Sequence, residues 1–353
     1  MDPLLKSAIE FTSEAVAAPE VTGLRRLSAR LGCDPRLVQA SNGNTSLKID
    51  GALWIKASGR WLANAMREDS IVALELAEVR ARIRSGEEIT SLGDGRSKLR
   101  PSIETPMHAV VPHRVVIHVH SINTIAWAIR RHAEEQLQER LAGLHWSWVP
   151  YVASGIPLAR RIEERIARAP ETDIFILGNH GLVVCGRDCD GAEALLKEVD
   201  RRLDIPPRPF PVANIALLEE IAGAAKLQVP HDCSLHALGL DAASMSILRG
   251  GVLFPCQAMF LGEKPPILPP RAIVQKFSNG CNAQRQSSFV IVEGAGVLLN
   301  HHASSSEHAT LAALAEVTQR TESCDQVRYL RQEEIFDLMS TSAEAYRSNI
   351  AQN

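Results

Sequence analysis

The stretch PHRVVIHVH at residues 112–120 decides the fold and the chemistry that the sequence predicts. Its second part, Val115–His120, is rich in β-branched residues and alternates in character, which predicts a strand. Side chains two residues apart on a strand point to the same face, so His118 and His120 are expected to project together. Two imidazoles arranged in this way can ligate one metal ion. Histidines that only pack or lie at the surface are the alternative.

A third histidine follows in a tight turn. Asp173–Leu177 and Leu182–Cys185 are predicted strands, and the segment between them reads Gly178-Asn179-His180-Gly181. Turns at strand ends are where a rigid frame presents ligands. Three histidines leave one coordination position open, which is the pattern of a catalytic zinc site rather than a closed structural one. Manganese, cobalt and iron stay open as the native metal.

A carboxylate precedes the histidine strand. Glu104 lies just ahead of a predicted short helix, Thr105–Val111, that leads into the strand. Chain order therefore brings this carboxylate close to the metal face. Near a divalent ion it can be a fourth ligand or an acid/base group. The alternative is a carboxylate that only answers the helix dipole.

Three polar turns lie before the histidine strand, and together they predict an anion cradle. They read Asn42-Gly43-Asn44-Thr45-Ser46, Lys56-Ala57-Ser58-Gly59-Arg60 and Pro101-Ser102. Backbone amides at glycine turns and helix starts suit a phosphate. Lys56 and the hydroxyls of Ser58 and Ser102 would complete the cradle. Each turn taken alone is an ordinary polar turn.

The flanking sequence predicts a mixed α/β protein. Apolar periodicity indicates a helix at Val21–Leu31, and Asp50-Gly51 between two alternating runs predicts a β-hairpin. Further predicted elements are helices at Ser70–Ser85 and Asn123–Leu141 and a loop at Gly93-Asp94-Gly95.

Proline-rich residues predict a boundary in the chain. Ile205-Pro206-Pro207-Arg208-Pro209 cannot continue a helix or join a central strand, so residues 1–205 and 206–353 are taken as two domains. The second should contain helices near Val212–Lys226, Ser304–Thr321 and Glu333–Arg347, and strands near Ala258–Leu261, Phe289–Val292 and Val297–Leu299.

The second domain is interpreted as a metal-free partial repeat of the first. Ile176–Val184 lines up with Ile291–Leu299, and Pro112–His120 lines up with Pro255–Glu263. In this register every metal ligand is replaced, so the second domain cannot build the same site.

Bulk properties exclude several classes of protein. The 353 residues are 45% hydrophobic and 22% charged, which excludes a disordered chain. A net charge of -3 suggests neither a nucleic-acid nor a membrane partner. Seven scattered cysteines, an odd number, favour reduced thiols in the cytoplasm, and the N-terminal residues do not read as a signal peptide.

Taken in order, these motifs resemble the class II aldolase and adducin family over residues of about 20–205. The carriers are Gly43-Asn44-Thr45-Ser46, Lys56-Ala57-Ser58-Gly59, Glu104-Thr105-Pro106-Met107-His108, His118-Val119-His120 and Asn179-His180-Gly181. Leu53–Gly59 and Trp148–Val152 look closest to the aldolase half of bacterial rhamnulose-phosphate aldolase/dehydrogenase fusions, although Ala57 stands where those relatives often have glycine.

The resemblance implies a three-layer α/β/α fold with a largely antiparallel central sheet. It implies zinc on the three histidines, Glu104 as the acid/base residue, and phosphate held at Gly43, Asn44, Ser58, Gly59 and Ser102. It also implies a homo-oligomer, in most relatives a tetramer.

The implied activity is that of a metal-dependent lyase. A ketose phosphate would be cleaved to dihydroxyacetone phosphate and an aldehyde, or formed from them, through an enediolate whose charge the metal stabilises. Tyr151 is a candidate second acid, with a core tyrosine as the alternative. An epimerase, dehydratase or decarboxylase on the same site, or an adducin-like scaffold without catalysis, stays open.

Overall fold

The computed structural model describes residues 18–92, 99–278 and 287–340. The strands are β1 (Asn44–Ile49), β2 (Ala52–Lys56), β3 (Ile71–Glu75), β4 (Val115–Val119), β5 (Trp146–Val149), β6 (Ile174–Leu177), β7 (Gly181–Gly186), β8 (Ile267–Leu268), β9 (Phe289–Val292) and β10 (Gly296–Leu299). The helices are α1 (Pro19–Gly32), α2 (Leu76–Ser85), α3 (Thr105–Val110), α4 (Ile122–Ala128), α5 (Ala133–Arg140), α6 (Ile156–Arg168), α7 (Cys189–Arg202), α8 (Ile215–Ala225), α9 (Ala237–Leu240), α10 (Ala242–Gly250), α11 (Pro270–Ser278), α12 (Ser305–Gln319) and α13 (332–340).

The histidine strand lies inside a seven-stranded sheet of order β3-β2-β1-β4-β7-β6-β5. β4 pairs antiparallel with β1 on one side and with β7 on the other. The β1–β2 hairpin is confirmed, and its two turn residues have positive φ, 51° at Asp50 and 78° at Gly51. Such a two-residue turn matches the natural twist of the strands that it joins.

Helices flank this sheet. Leu53 and Ile55 of β2 alternate onto one face, where they share an apolar cluster with Val79 and Ile83 of α2. Helix α1 contacts β1 and buries Leu24 and other apolar residues spaced three or four apart. The predicted fold class, a mixed α/β protein with a largely antiparallel central sheet between helices, is confirmed.

Contact density divides the chain into two compact units. The first comprises residues up to Val119, Gly143–Ile176 and Leu182–Val199, and it contains the seven-stranded sheet. The second comprises His120–Ala142, Leu177–Gly181 and the residues from Asp200 onward. The predicted domain boundary after residue 205 stays a prediction.

The second unit has a sheet and a core of its own. Its three strands run in the order β10-β9-β8, with β8 parallel and β10 antiparallel to β9. Its main apolar cluster contains Ile122, Ile125 and Ile129, in and just after α4, together with Leu311 and Leu314 of α12. The helix that follows the histidine strand is therefore packed within this unit.

Two predicted helices are wrong in part. Residues 71–75 of the predicted helix Ser70–Ser85 form β3, because they pair along their whole length with β2. The predicted long helix Asn123–Leu141 is two helices, α4 and α5. Between them Arg130 bridges to Val327, and the Arg131 amide donates to the Gln326 carbonyl at 2.8 Å, so these residues pair with another segment instead of continuing the helix.

The C-terminal predictions are confirmed for α8, α12, β9 and β10 and wrong at one strand. Gln257–Leu261 is a π-helical turn, so the predicted strand Ala258–Leu261 does not form. The correspondence of Pro112–His120 with Pro255–Glu263 is therefore wrong, whereas that of the two hairpins stays a prediction. The loop at Gly93-Asp94-Gly95 and the last part of the predicted helix Glu333–Arg347 lie outside the described residues. Within the described ranges, no helix combines the length and apolarity that a bilayer crossing requires.

Candidate metal centre

Three buried histidines lie together at the end of the central strand. His118 belongs to β4, His120 follows its last residue, and His180 occupies the turn between β6 and β7. One ring nitrogen from each lies within 4.8 Å of one from each of the others. The structure thus brings together the three side chains that the sequence predicted as metal ligands.

The proton position of His118 can be read from its hydrogen bond. Its Nδ1 lies 3.0 Å from the carbonyl oxygen of Leu182, on the neighbouring strand β7. A carbonyl can only accept, so Nδ1 carries a hydrogen, and in the neutral ring the lone pair is then on Nε2. This is the tautomer in which a metal-ligating histidine is usually held, by a hydrogen bond at its other nitrogen.

His120 and His180 face each other edge to face, with ring centroids 5.1 Å apart. Nδ1 of His120 lies 3.4 Å from Sγ of Cys256, within hydrogen-bonding distance for sulfur. Three imidazole nitrogens in a buried cluster suit zinc, cobalt, nickel or iron in preference to calcium or magnesium. The residues present therefore fit a divalent transition metal.

The carboxylate of Glu104 lies beside one of these histidines, His118. Its Oε2 lies 3.3 Å from Nε2 of His118, the ring nitrogen that is not bonded to Leu182. Glu104 occupies the N-cap position of α3, yet its side chain makes no capping hydrogen bond. Oε2 instead accepts from Asn44 Nδ2 at 2.7 Å, and Oε1 accepts from the hydroxyl of Ser154 at 3.2 Å. The carboxylate is directed at His118 rather than at the helix end.

A network of hydrogen bonds with defined donors and acceptors runs from Glu104 through Asn44 and His108 to Ser46. Because Asn44 donates through Nδ2 to the carboxylate, its Oδ1 must accept, and it does so from Nε2–H of His108. Burial holds the pKa of His108 well below its ordinary value, so the ring is neutral. Its Nδ1 then accepts from the hydroxyl of Ser46 at 2.7 Å. Asn44 and His108 each donate at one end and accept at the other, so the network holds the carboxylate's orientation.

Two of the predicted phosphate residues lie on this network. Ser102 Oγ is 3.2 Å from Asn44 Nδ2 and accepts from the Glu104 amide at 3.2 Å. Lys56 is buried and donates to the Ser41 carbonyl, and burial lowers its pKa to about 8, a shift that the Glu104 carboxylate opposes. The structure therefore gathers Asn44, Ser102 and Lys56 around the acid/base candidate.

The other predicted phosphate residues have local roles that the structure makes explicit. Gly43 has φ +67°, and a Cβ there would lie 3.0 Å from the His118 carbonyl oxygen. Gly59 has φ +73°, and the amide of Ser58 donates to the Arg100 carbonyl at 2.8 Å. Asn42, in the first turn, has a buried Nδ2 with no hydrogen-bond partner among the described residues. Phosphate binding by these turns stays a prediction, as does the role of Tyr151, which is half-buried after β5.

Sequence reasoning missed the supporting residues of the site. His108 appeared only as the end of a motif, yet its spacing of four from Glu104 on a short helix gave the signal. Ser154 and Cys256 carried no signal, because each reaches the site from a distant part of the chain.

Comparison with known proteins agrees with this geometry. The sequence profile of the family described as "Class II Aldolase and Adducin N-terminal domain" matches residues 24–205. The chain belongs to this family. The matched region of the class II aldolase family contains the three histidines and Glu104, whereas Cys256 lies outside it.

One curated relative is the "Uncharacterized oxidoreductase YuxG" of Bacillus subtilis (strain 168), 30% identical over 174 residues. The match covers 44% of this chain and 25% of that protein, so the chain spans about a quarter of the relative's length.

Similar solved structures include class II aldolase domains. That of a conserved protein from Thermoplasma acidophilum is 22% identical, with a TM-score of 0.45, over 51% of this chain and 90% of that one. YgbL from Klebsiella pneumoniae, a putative aldolase/epimerase/decarboxylase, is 25% identical with a TM-score of 0.37 over 52% and 86%. The l-fuculose-1-phosphate aldolase from Thermus thermophilus is 16% identical with a TM-score of 0.36 over 53% and 93%.

Proposed function

We propose that this protein is a metal-dependent lyase that cleaves or forms the carbon–carbon bond of a ketose phosphate. The observation that carries the proposal is the buried histidine cluster with the Glu104 carboxylate 3.3 Å from Nε2 of His118. Membership of the class II aldolase family supports the same reaction type. Dihydroxyacetone phosphate and an aldehyde are the proposed products.

His118, His120 and His180 would hold the metal, with zinc as the proposed ion. When bound, a divalent ion supplies Lewis acidity, which stabilises the negative charge that develops on substrate oxygen as the bond breaks. Glu104 would transfer the proton. Its two oxygens already receive hydrogen bonds from Asn44 and Ser154, so the carboxylate can donate or accept a proton without reorienting.

The phosphate end of the substrate is proposed to lie at the turns around Gly43, Ser58 and Ser102. The buried amide nitrogen of Asn42 supports this, because a buried donor with no partner among the described residues can meet an acceptor from the substrate. Lys56 would add charge that falls away above pH 8, as its pKa is about 8. Further copies of the chain, in a homo-oligomer, are the other proposed partners.

The first prediction concerns the metal. His180→Ala should lose tight, stoichiometric zinc binding, because two histidines rarely hold zinc unaided. The metal content of purified protein after dialysis measures this. His301→Ala, at an exposed histidine outside the cluster, is the matched control and should retain the ion. Stoichiometric zinc in the His180 variant would remove the basis of the proposal.

The reaction itself is tested with a panel of ketose phosphates. Release of dihydroxyacetone phosphate by the wild type, and its loss in the His180 variant, is the expected result. Metal-dependent turnover of a hydroxy-carbonyl substrate without cleavage of a carbon–carbon bond would reassign the site to an epimerase or dehydratase. Release of carbon dioxide would reassign it to a decarboxylase.

A further inference from the structure

The turn that presents His180 is fixed through the side chain of its neighbour, Asn179. This residue has φ +53°, a left-handed conformation that costs an ordinary residue about 1 kcal/mol. Its Nδ2 donates to the carbonyl of Leu253 at 2.8 Å and to the carbonyl of Arg328 at 2.7 Å. Its Oδ1 accepts from Nη1 of Arg328 at 2.8 Å. Both ends of the amide side chain are thus held by the C-terminal part of the chain.

The same C-terminal part reaches His120. Cys256 Sγ lies 3.4 Å from Nδ1 of that histidine, three residues after the Leu253 that binds Asn179. The intervening turn is closed by Gln257, whose Oε1 accepts from the Leu253 amide at 2.8 Å and whose own amide donates to the Phe254 carbonyl. One short turn, residues 253–257, therefore contacts one metal-ligand candidate directly and the neighbour of another.

These contacts sit on a rigid base. Leu253, Phe254 and Cys256 belong to the apolar cluster that also buries Ile125 of α4. The amide of Arg328 donates to the carbonyl of Ile129 at 2.7 Å, and its guanidinium pairs with Glu334 at 2.5 Å. Side chains anchored in this way hold a fixed geometry, as the outer partners of a metal site must.

We propose that the C-terminal extension, residues 206–353, is part of the metal centre: Cys256 orients His120, and Leu253 and Arg328 hold the turn that presents His180. The inference rests on the proposed metal site and adds positioning residues from outside the region that the family profile covers. Outer partners of metal ligands typically contribute about 10- to 100-fold in metal affinity. The extension should therefore set metal affinity without supplying a ligand.

The first test compares substitutions of Arg328 and Arg331, two arginines that both pair with the carboxylate of Glu334. Arg328→Met removes the donor to Asn179, whereas Arg331→Met removes another partner of Glu334, at 3.1 Å, that does not contact Asn179. Zinc and cobalt affinities of the full-length variants are measured by competition with a chelator. We expect about a 10-fold loss for Arg328→Met and no change for Arg331→Met. Arg328→Lys, which keeps one donor, should recover part of the loss.

The second test uses two buried cysteines. Cys256→Ala should weaken cobalt binding by about 10-fold or more and alter the visible absorption of the cobalt-loaded protein, because the His120 ring loses its contact with the thiol. Cys185→Ala, at a buried cysteine of β7, is the control and should leave both unchanged. The unfolding midpoint without metal is measured for each variant, so that a loss of affinity can be separated from a loss of fold.

The outcomes separate the two proposals. If the wild type binds no transition metal, the proposed function and this inference both fail. If the wild type binds one ion and His180→Ala loses it, yet the Arg328 and Cys256 variants match their controls, the inference is overturned and the proposed function stands. If either Arg328→Met or Cys256→Ala is too unstable to purify, the remaining variant still tests the inference, because Arg328 contacts Asn179 and Cys256 contacts His120.

Discussion

At the level of single residues, the proposed reaction depends on proton transfer by the Glu104 carboxylate. Glu104→Gln keeps an oxygen that can accept from Asn44 but removes the group that can exchange a proton. Turnover should therefore fall by about 100-fold or more, the usual contribution of a positioned acid/base, with metal content near that of the wild type. Loss of metal would instead identify Glu104 as a ligand, and an unchanged rate would place the proton transfer elsewhere.

A second buried carboxylate provides the control for this substitution. Glu193 pairs with Arg30 at 2.5 Å and with Lys197 at 2.8 Å on α7. Hydrogen bonding to Arg30 lowers its pKa, as expected for a carboxylate paired with a cation. Glu193→Gln should lower the melting temperature and leave the catalytic constant unchanged.

The neutral ring of His108 gives a third prediction at this scale. His108→Leu leaves Oδ1 of Asn44 and the hydroxyl of Ser46 without their partner inside the protein. Unfolding free energy should fall by about 1–3 kcal/mol, the cost of an unsatisfied buried polar group. The catalytic constant should fall as well, because Asn44 can then rotate away from Glu104. Ser46 is the group of the hydrogen-bond network farthest from Glu104, so Ser46→Ala should lower the catalytic constant less than His108→Leu does. An equal effect of the two substitutions would contradict the directed network.

At the scale of secondary-structure elements, the residue just before β1, Gly43, lies close to the backbone of the histidine strand β4. Gly43 and Gly143 both have positive φ, 67° and 78° respectively. A Cβ added at Gly43 would lie 3.0 Å from the His118 carbonyl oxygen, whereas a Cβ added at Gly143 would meet nothing within 4 Å. Either alanine variant should lose about 1 kcal/mol from backbone strain. Gly43→Ala should lose more and should also weaken metal binding, as β4 is displaced. Equal results in chemical denaturation and metal titration would show that the close approach has no effect.

At the scale of the whole molecule, the metal should act as a stabilising ligand. A ligand that binds only the folded state adds about 2.7 kcal/mol when present at 100 times its dissociation constant. Zinc should therefore raise the melting temperature, and a chelator should reverse the rise. The His180→Ala variant should show no such shift. A shift of the same size in that variant would mean that the stabilising ion binds elsewhere.

Much of the fold and the centre of the site could be read from local sequence. The strand with His118, the Asp50-Gly51 hairpin and helix α1 were predicted correctly, although His120 lies one residue beyond the end of the strand. Periodicity and turn chemistry act over a few residues and can be read locally. The turn that carries His180 was also recognisable from four consecutive residues. The order of these motifs along the chain then indicated that they belong to one site, because the same order occurs in the family that they resemble.

The rest depended on contacts between residues far apart in the chain. Residues 71–75 became a strand because β2 offered an edge, and the helix after Asn123 broke where Arg130 meets Val327. The bond between Arg328 and Asn179 joins residues 149 positions apart, and Cys256 reaches His120 across 136. A backbone group pairs with whatever donor or acceptor folding brings near it, and local sequence carries no record of that partner. The sequence by itself therefore determined the candidate ligands of the metal centre, and the tertiary structure decided which residues hold them.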